Sequence, residues 1–211
     1  MKGKTPLTSL LVSGTLLIAV VLAEAMAYQR IHSVDQEILR HITPCPGNPV
    51  VEAVAVTGSI EFAGIIAIIV LALEYYKLHR IGPDTIGLWM GLALSTALVL
   101  LLKLGLASPR PPTSGYTSRA SGLLGRIDQY AFPSGHTTRA STIASYYTGR
   151  LGTLTTVILW VWASAVALSR IIQGVHWPSD VVAGLIAGWF SGAFGRIIAW
   201  RLAGYCSTPE H

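Results

Sequence analysis

Long stretches without a charged side chain are the feature of this sequence that most limits its fold. Four of them cover residues 5–23, 85–102, 151–169 and 181–195. A helix of about 20 largely apolar residues crosses the ~30 Å hydrocarbon core of a bilayer, and three of the stretches approach that length unaided. Charged residues make up 12% of the chain, against about 25% in soluble domains. The sequence predicts a membrane protein and excludes a disordered chain, a basic nucleic-acid-binding domain and a disulfide-stapled secreted domain.

The apolar stretches predict an all-α, polytopic membrane protein with a bundle of six transmembrane helices. A length of 211 residues corresponds to one domain, so residues 1–211 are assigned to a single unit. The second span contains Glu52 and Glu61, and the fourth is short and polar. The predicted spans are 7–27, 50–73, 86–106, 136–149, 153–172 and 180–202.

The first span also has features of a secretory signal. Two lysines precede its apolar run, and small residues follow at Ala23, Ala25 and Ala27. The run is longer than the 7–15 residues of a usual signal core. We therefore expect it to remain as a membrane span.

The lysines and arginines of the connections predict the orientation of the bundle, because cytoplasmic connections carry an excess of them. With the N-terminus inside, the cytoplasmic side holds Lys2, Lys4, Lys77, Arg80, Arg150, Arg196 and Arg201. The outer side then holds Arg30, Arg40, Arg110, Arg119, Arg126 and Arg170. The excess on the cytoplasmic side is clearer if Arg110 and Arg170 are outside for a chemical reason. This orientation places the long connection 107–133 in the extracytoplasmic space.

Three segments contain residues that could take part in binding or catalysis. The first is KLGLASPRP, residues 103–111, at the end of the third span. A lysine in a membrane helix is costly unless it reaches the interface or has a partner. Lys103 is therefore either a snorkelling anchor or a cation for an anionic ligand. Arg110 adds a second positive charge at the same membrane face.

The second segment is FPSGH, residues 132–136, followed by a run compatible with a helix. Ser134 and Gly135 would place free backbone N–H groups at the positive end of a helix dipole, which is a ready anion site. A simple N-cap by Ser134 is the alternative.

The third segment is SRIIQGVHWPSD, residues 169–180. His176 and Asp180 stand four residues apart at the start of a helix. The carboxylate can accept a hydrogen bond from one ring nitrogen and leave the other as nucleophile or base. An interfacial histidine beside a helix-capping aspartate is the alternative.

An even number of spans separates the three segments, so the topology returns all of them to one membrane face. Lysine supplies a compact charge, and arginine binds phosphate oxygens bidentately. Three cations, two histidines and one carboxylate suit phosphoryl transfer, whose catalysis is mainly electrostatic positioning.

These segments match K-x6-R-P, P-S-G-H and S-R-x5-H-x3-D in that order. The chain thereby resembles the type 2 phosphatidic acid phosphatase superfamily of integral-membrane lipid phosphatases, over residues 103–180. Vanadium haloperoxidases share the pattern but are soluble, which the hydropathy of this chain argues against.

The resemblance implies a role for each residue. His176 is expected to attack phosphorus and form a phosphohistidine, with Asp180 orienting it, while His136 protonates the leaving oxygen and later activates water. The expected substrate is a lipid phosphate (phosphatidic acid, phosphatidylglycerol phosphate or a polyprenyl diphosphate), with no metal ion, cofactor or nucleic acid. The phosphate oxygens are expected to bind Lys103, Arg110, Ser134, Gly135 and Arg170.

Two other functions use the same residues. A lipid phosphotransferase would pass the phosphoryl group to an alcohol, and an anion channel or transporter would break no bond. A channel has no need for a His-Asp pair beside a second histidine, so it ranks last.

Several residues lie outside the motifs. Arg139 is interpreted either as a further phosphate contact or as a partner of Glu61. We expect the remaining histidines, His32, His41, His79 and His211, to be solvated. Interfacial anchoring is expected of Tyr28, Trp89, Trp177 and Trp200.

Two further patterns concern packing. Glycines recur every four residues at Gly184, Gly188 and Gly192, which predicts a face for close helix contact within the bundle. Cys45 and Cys206 fall on opposite sides of the membrane, so no disulfide is expected between them.

Overall fold

The protein is all-helical wherever its structure is described. The computed structural model describes residues 6–42, 44–112 and 121–206, and no strand occurs in these ranges. The sequence analysis made predictions for Lys2, Lys4, Arg119, His211 and the side chain of Cys206, all of which lie outside the described part. Cys45 is exposed. The helices are α1 (Pro6–Arg40), α2 (Pro49–Val56), α3 (Ile60–Leu78), α4 (Pro83–Leu106), α5 (Gly122–Asp128), α6 (Gly135–Tyr147), α7 (Thr153–Ile172) and α8 (Pro178–Cys206).

The helices long and apolar enough to cross a membrane are α1, α4, α7 and α8, with α2 and α3 together as a fifth candidate. The bounds predicted for the span 153–172 agree with α7. Helix α6 has 13 residues, fewer than a spanning helix needs, and most of its side chains are buried among the other helices. The sixth span therefore stays a prediction.

The first helix is longer than the predicted span 7–27. It continues to Arg40, and a non-helical residue at Ala27 marks a kink where the predicted span ended. Polar residues beyond the kink lowered the hydropathy, but His32 and Asp35 are buried inside the bundle. The prediction that His32 is solvated is wrong: its Nδ1 lies 3.1 Å from the Tyr28 carbonyl oxygen, and its ring packs edge-on against Trp177.

The second predicted span is broken. Helices α2 and α3 meet at an angle of 47° around Thr57, Gly58 and Ser59. Polar groups at the break have partners from other helices: Trp162 Nε1 donates to Thr57 Oγ1 at 2.8 Å, and Arg139 Nε donates to Gly58 O at 3.2 Å. Such bonds stabilise irregular backbone at membrane depth, where water is absent.

Close contact between α6 and α8 forms the centre of the bundle. A Cβ atom at Gly184 would lie 2.9 Å from Ser134 O, and those at Gly188 and Gly192 would overlap the carbonyls of Thr138 and Thr142. The predicted glycine face is thus confirmed as a contact within one chain. This contact holds the start of α6 beside the start of α8, where the second and third motifs lie.

Candidate active site

Lys103 points into the bundle. It is 4% exposed, and its Nζ donates to Tyr130 O at 2.6 Å and to Asp128 O at 3.4 Å. A snorkelling anchor would extend toward the interface, so that alternative is wrong. The main-chain carbonyls of Asp128, at the end of α5, and of Tyr130, just after it, instead hold the ammonium group inside the bundle.

Arg110 connects the first motif to the third. Its Nη1 donates to Val175 O at 2.7 Å and lies 3.3 Å from His176 Nε2, while its Nη2 donates to Asp128 O at 2.7 Å. Two carbonyl oxygens thus fix the plane of the guanidinium. The planar group therefore presents N–H donors beside the imidazole.

His176 is held from its other side by Asp180. Its Nδ1 lies 3.2 Å from Asp180 Oδ2, which also accepts from Trp177 N at 2.8 Å. We assign the proton to Nδ1, because a carboxylate only accepts hydrogen bonds and Arg110 only donates them. Burial, and then the positive charges of Arg110, Arg170 and Lys103, hold the pKa of His176 well below its usual range. The imidazole is therefore neutral at physiological pH, with the Nε2 lone pair facing Arg110.

The second motif lies at the start of α6, next to this pair. Ser134 is the N-cap residue, but its hydroxyl makes no capping hydrogen bond. Its N–H donates to Asp180 O at 3.1 Å, and its hydroxyl accepts from Thr137 Oγ1 at 3.0 Å. The alternative of a simple side-chain cap is therefore wrong. Gly135 and His136 are half-buried at the helix end, and their N–H groups lie in its first turn.

Arg170 lies on the last turn of α7, just before the connection that leads to His176. It is 7% exposed, and its Nη1 donates to Gln173 Oε1. Its carbonyl accepts from Val175 N at 3.2 Å, which holds the loop before His176 against the helix end. The positive charge of Arg170 acts on both His136 and His176.

Asp128 is a residue of this cluster that the sequence analysis missed. Its carboxylate lies 3.6 Å from Lys103 Nζ and 4.0 Å from Arg110 Nη2, in addition to the carbonyl contacts above. One sequence observation pointed to it, since Asp128 and Asp180 are the only acids between residues 103 and 180. It spaces the two cations and partly balances their charge.

Trp177 corrects another prediction. It is 4% exposed, and its Nε1 donates to Pro109 O at 2.8 Å, so it is an internal packing residue and not an interfacial anchor. Tyr28, Trp89 and Trp200 are 36%, 46% and 68% exposed, as an anchoring role requires. The indole of Trp177 links the loop of the first motif to that of the third.

The structure thus brings all eight predicted site residues to one end of the bundle. A neutral imidazole with one nitrogen on a carboxylate lies among three buried cations and a helix N-terminus. Such a group can attack an electrophile whose negative charge the cations and N–H donors neutralise. Among the described residues, no three His, Cys, Asp or Glu side chains are arranged to hold a metal ion.

Known proteins resemble parts of this chain in sequence, and one solved structure resembles it in fold. Phosphatidylglycerophosphatase B of Escherichia coli is 40% identical over 84 residues, covering 38% of this chain and 33% of its own length. The undecaprenyl-diphosphatase of Sulfolobus acidocaldarius is 41% identical over 69 residues, covering 29% and 31%. The chain thus aligns with about a third of the length of these relatives. The crystal structure of a transmembrane PAP2-type phosphatidylglycerolphosphate phosphatase from Bacillus subtilis shares the fold, with a TM-score of 0.71, 18% identity and coverage of 96% and 98%.

One family model covers the site itself. The model described as the PAP2 superfamily matches residues 84–203, which include all three motifs. Since this match spans more than half of the chain, the protein belongs to the PAP2 superfamily.

Proposed function

We propose that this protein is a membrane lipid phosphatase that hydrolyses a phosphomonoester or diphosphate of a lipid through a phosphohistidine at His176. The observation that carries the proposal is the setting of His176: Nδ1 lies 3.2 Å from Asp180 Oδ2, and Nε2 lies 3.3 Å from an arginine nitrogen. A phosphoryl group whose oxygens take the place of His176 as partners of Arg110 would bring phosphorus within reach of Nε2. The names of the relatives, a phosphatidylglycerophosphatase and an undecaprenyl-diphosphatase, support a lipid phosphate as substrate.

The nucleophile is activated by its environment. Nδ1–H donates to Asp180, so Nε2 keeps its lone pair, and the carboxylate stabilises the positive charge that develops on the ring during attack. The low pKa of His176 keeps it unprotonated at physiological pH. A buried and oriented neutral imidazole needs no separate base to remove a proton before it attacks.

The cations and the start of α6 hold the phosphate. Lys103 and Arg170 are 4% and 7% exposed, and the side chain of Arg110 is 7% exposed, so their charges act in a medium of low dielectric constant. The N–H of Gly135 and the hydroxyl of Ser134 lie at the positive end of the α6 dipole. Together these donors stabilise the oxygens of the five-coordinate transition state.

His136 completes the cycle. It stands at the start of α6 and is half-buried, unlike the nucleophile, so it has access to the side where the substrate leaves. In this role the ring must carry a proton when substrate is bound, which the negative charge of the phosphate favours against the repulsion by Arg170 and Arg139. It gives that proton to the leaving oxygen, and as a base it then activates the water that cleaves the phosphohistidine. The lipid tail enters between helices from the membrane, and the reaction takes place at the extracytoplasmic face without a metal ion.

Phosphate release from a panel of lipids tests this function. Purified protein in detergent is offered phosphatidic acid, phosphatidylglycerol phosphate and a polyprenyl diphosphate, and free phosphate is measured alongside the lipid product. Hydrolysis releases phosphate in proportion to dephosphorylated lipid, whereas a phosphotransferase retains it in a second product. Absence of any bond cleavage across the panel would leave a binding or transport role and refute the proposal.

A further inference from the structure

A cation that the motifs do not specify faces the same site. Arg139 lies on α6 one turn after His136, and its guanidinium turns back over Gly135. A Cβ atom placed on Gly135 would lie 3.3 Å from Nη1 and 3.6 Å from Nη2 of Arg139. This direction follows from helix geometry, because long side chains lean over the turn before them. The charge of Arg139 is therefore at the end of α6 that carries the second motif.

The guanidinium is anchored through only one of its nitrogens. Nε donates to Gly58 O at the break between α2 and α3. In the described part of the chain, Nη1 and Nη2 donate to no protein acceptor, and no carboxylate lies within the 4.0 Å of an ion pair. Glu61 attracts Arg139 from a longer distance, so the predicted pairing is not a direct contact. An arginine inside an apolar bundle is costly unless its donors meet an anion.

Arg139 lies beside His136 at the helix break. Its Nε donates to Gly58 O, and a Cβ atom placed on Gly58 would lie 3.2 Å from the Cβ of His136. The charge of Arg139 affects His136 more than those of Arg110 and Lys103 do. The charges that act most strongly on His176 are those of Arg110, Arg170, Lys103 and His136. In the proposed reaction His176 attacks from one side of phosphorus and His136 protonates the oxygen on the opposite side. Arg139 is thus on the side of the leaving group.

We propose that Arg139 is a specificity-determining residue that binds the second phosphoryl group of a lipid diphosphate, on the leaving side. This inference rests on the proposed function and names its substrate class. The leaving group of a lipid diphosphate is a lipid monophosphate, an anion that a nearby guanidinium stabilises. The leaving group of a lipid monophosphate is a neutral alcohol. It needs the proton of His136 and places no anion beside Arg139.

The reaction balances without any further reactant. His176 Nε2 forms a bond to the terminal phosphorus while the bond from that phosphorus to the bridging oxygen breaks. The electron pair of the broken bond leaves with the lipid monophosphate, whose charge Arg139 neutralises. Water then adds to the phosphohistidine, releasing inorganic phosphate and restoring the imidazole.

Two substrates with one tail test the assignment. Farnesyl diphosphate and farnesyl phosphate share their lipid chain and differ in the leaving group. We expect Arg139→Gln to lower kcat/KM for the diphosphate by roughly 10- to 100-fold, the effect of losing one charged hydrogen bond. For the monophosphate we expect a change of less than about threefold, since Arg139 makes no leaving-group contact with it. Arg139→Lys keeps the charge and should recover part of the diphosphate activity.

A matched control separates the charge from the fold. Trp162→Phe removes the hydrogen bond that α7 donates to the same helix break, at Thr57, and leaves Arg139 in place. It should show no selective loss on the diphosphate, and thermal unfolding in detergent should verify that each variant is folded. A selective loss in Trp162→Phe would assign the effect to the helix break and overturn the role of Arg139.

The other outcomes are also decisive. Equal losses on both farnesyl substrates in folded Arg139→Gln would place Arg139 on the transferred phosphoryl group and overturn the leaving-side assignment. Hydrolysis of inorganic pyrophosphate as efficient as that of farnesyl diphosphate would make the ligand a free diphosphate and not a lipid. Phosphate release from phosphatidic acid or phosphatidylglycerol phosphate but not from farnesyl diphosphate would overturn the diphosphate assignment and leave the proposed function standing. No release from any of these lipids would refute the proposed function itself.

Discussion

Asp35 in α1 accepts two hydrogen bonds from Ser179 in the first turn of α8. The main-chain nitrogen of Ser179 donates to Oδ1 at 3.0 Å and its hydroxyl donates to Oδ2 at 2.6 Å. The first N–H groups of a helix have no partner within it, so Asp35 caps α8 from another helix. Asp180 is the next residue, and it binds His176 with its carboxylate and Ser134 with its carbonyl. The cap therefore fixes the position of the nucleophile's partner.

The first prediction tests this cap. Asp35→Ala should lower stability by about 1–3 kcal/mol, because it leaves two half-buried donors of Ser179 without their acceptor. It should also lower kcat more than it raises KM, since the predicted phosphate contacts remain. Asp35→Asn keeps an acceptor oxygen for the Ser179 N–H and should retain more activity. The measurements are thermal unfolding and steady-state kinetics of both variants beside Ser179→Ala.

A cycle of single and double variants separates positioning from simple loss of structure. If Asp35 acts through Ser179, Asp35→Ala combined with Ser179→Ala should cost clearly less than the sum of the two single changes. Additive losses, or an unchanged kcat in folded Asp35→Ala, would contradict a positioning role.

The second prediction separates the two histidines. His176→Ala should abolish turnover and any labelled phosphoenzyme, because it removes the proposed nucleophile. His136→Ala should cost less on a substrate with a good leaving group than on one with a poor leaving group, because protonation matters less there. The measurements are kcat/KM on aryl and alkyl phosphates and trapping of the phosphoenzyme by acid quench. An equal loss on both substrates would argue against an acid role for His136.

The site residues were predictable because their patterns are local. Spacing within the motifs, and the parity of spans between them, indicated that Lys103, His136 and His176 share one end of the bundle. Bounds were predictable where hydropathy was unbroken, as in α7. His32 and Asp35 were missed because a helix that buries polar residues against other helices looks like a solvent-exposed connection. The burial of these two residues depends on how α1 packs against other helices, and hydropathy carries no information about that packing.

The third prediction concerns pH. Neutral His176 is the nucleophile, so activity is lost as pH falls through the pKa of His176, which burial and then Arg110, Arg170 and Lys103 hold below its usual range. The wild type should therefore stay active well below pH ~6.5, the ordinary value for histidine. Arg110→Gln removes a positive charge 3.3 Å from Nε2, which raises the pKa of His176 and moves the acid limb to higher pH.

The pH experiment compares wild type and variant on one substrate, so that titration of the substrate phosphate is common to both profiles. Arg126→Gln removes an exposed arginine that lies outside the motifs, and it should leave the acid limb unchanged. If the acid limb of the pH–activity profile of Arg110→Gln stays in place or moves to lower pH, Arg110 does not set the protonation of His176.

The fourth prediction is that catalysis does not need a divalent metal. The motifs offer two histidines and one carboxylate, and the surrounding cations Lys103, Arg110 and Arg170 would repel a metal ion. Phosphate release should survive excess EDTA, and orthovanadate should inhibit by mimicking five-coordinate phosphorus. Loss of activity on chelation, restored by magnesium or zinc, would contradict this prediction.

The fifth prediction places the site at the extracytoplasmic face. The three motifs lie at one end of the bundle, which the lysine and arginine bias assigns to the outside. Cations at helix ends can stay near the lipid headgroups, whereas deeper burial costs several kcal/mol for each. Single cysteines introduced on opposite sides test the orientation. Ser121 in the connection between the first two motifs and Thr153 at the start of α7 are both exposed.

Native Cys45 is also exposed, so the labelling uses Cys45→Ser and Cys206→Ser as background. In intact cells, a membrane-impermeant maleimide should label Ser121→Cys at once and Thr153→Cys only after permeabilisation. Phosphate release by the background protein serves as the control that the bundle is intact. The opposite labelling pattern would place Lys103, His136 and His176 on the cytoplasmic face. The substrate would then be drawn from the inner leaflet, because the lipid headgroup must lie at the level of these residues.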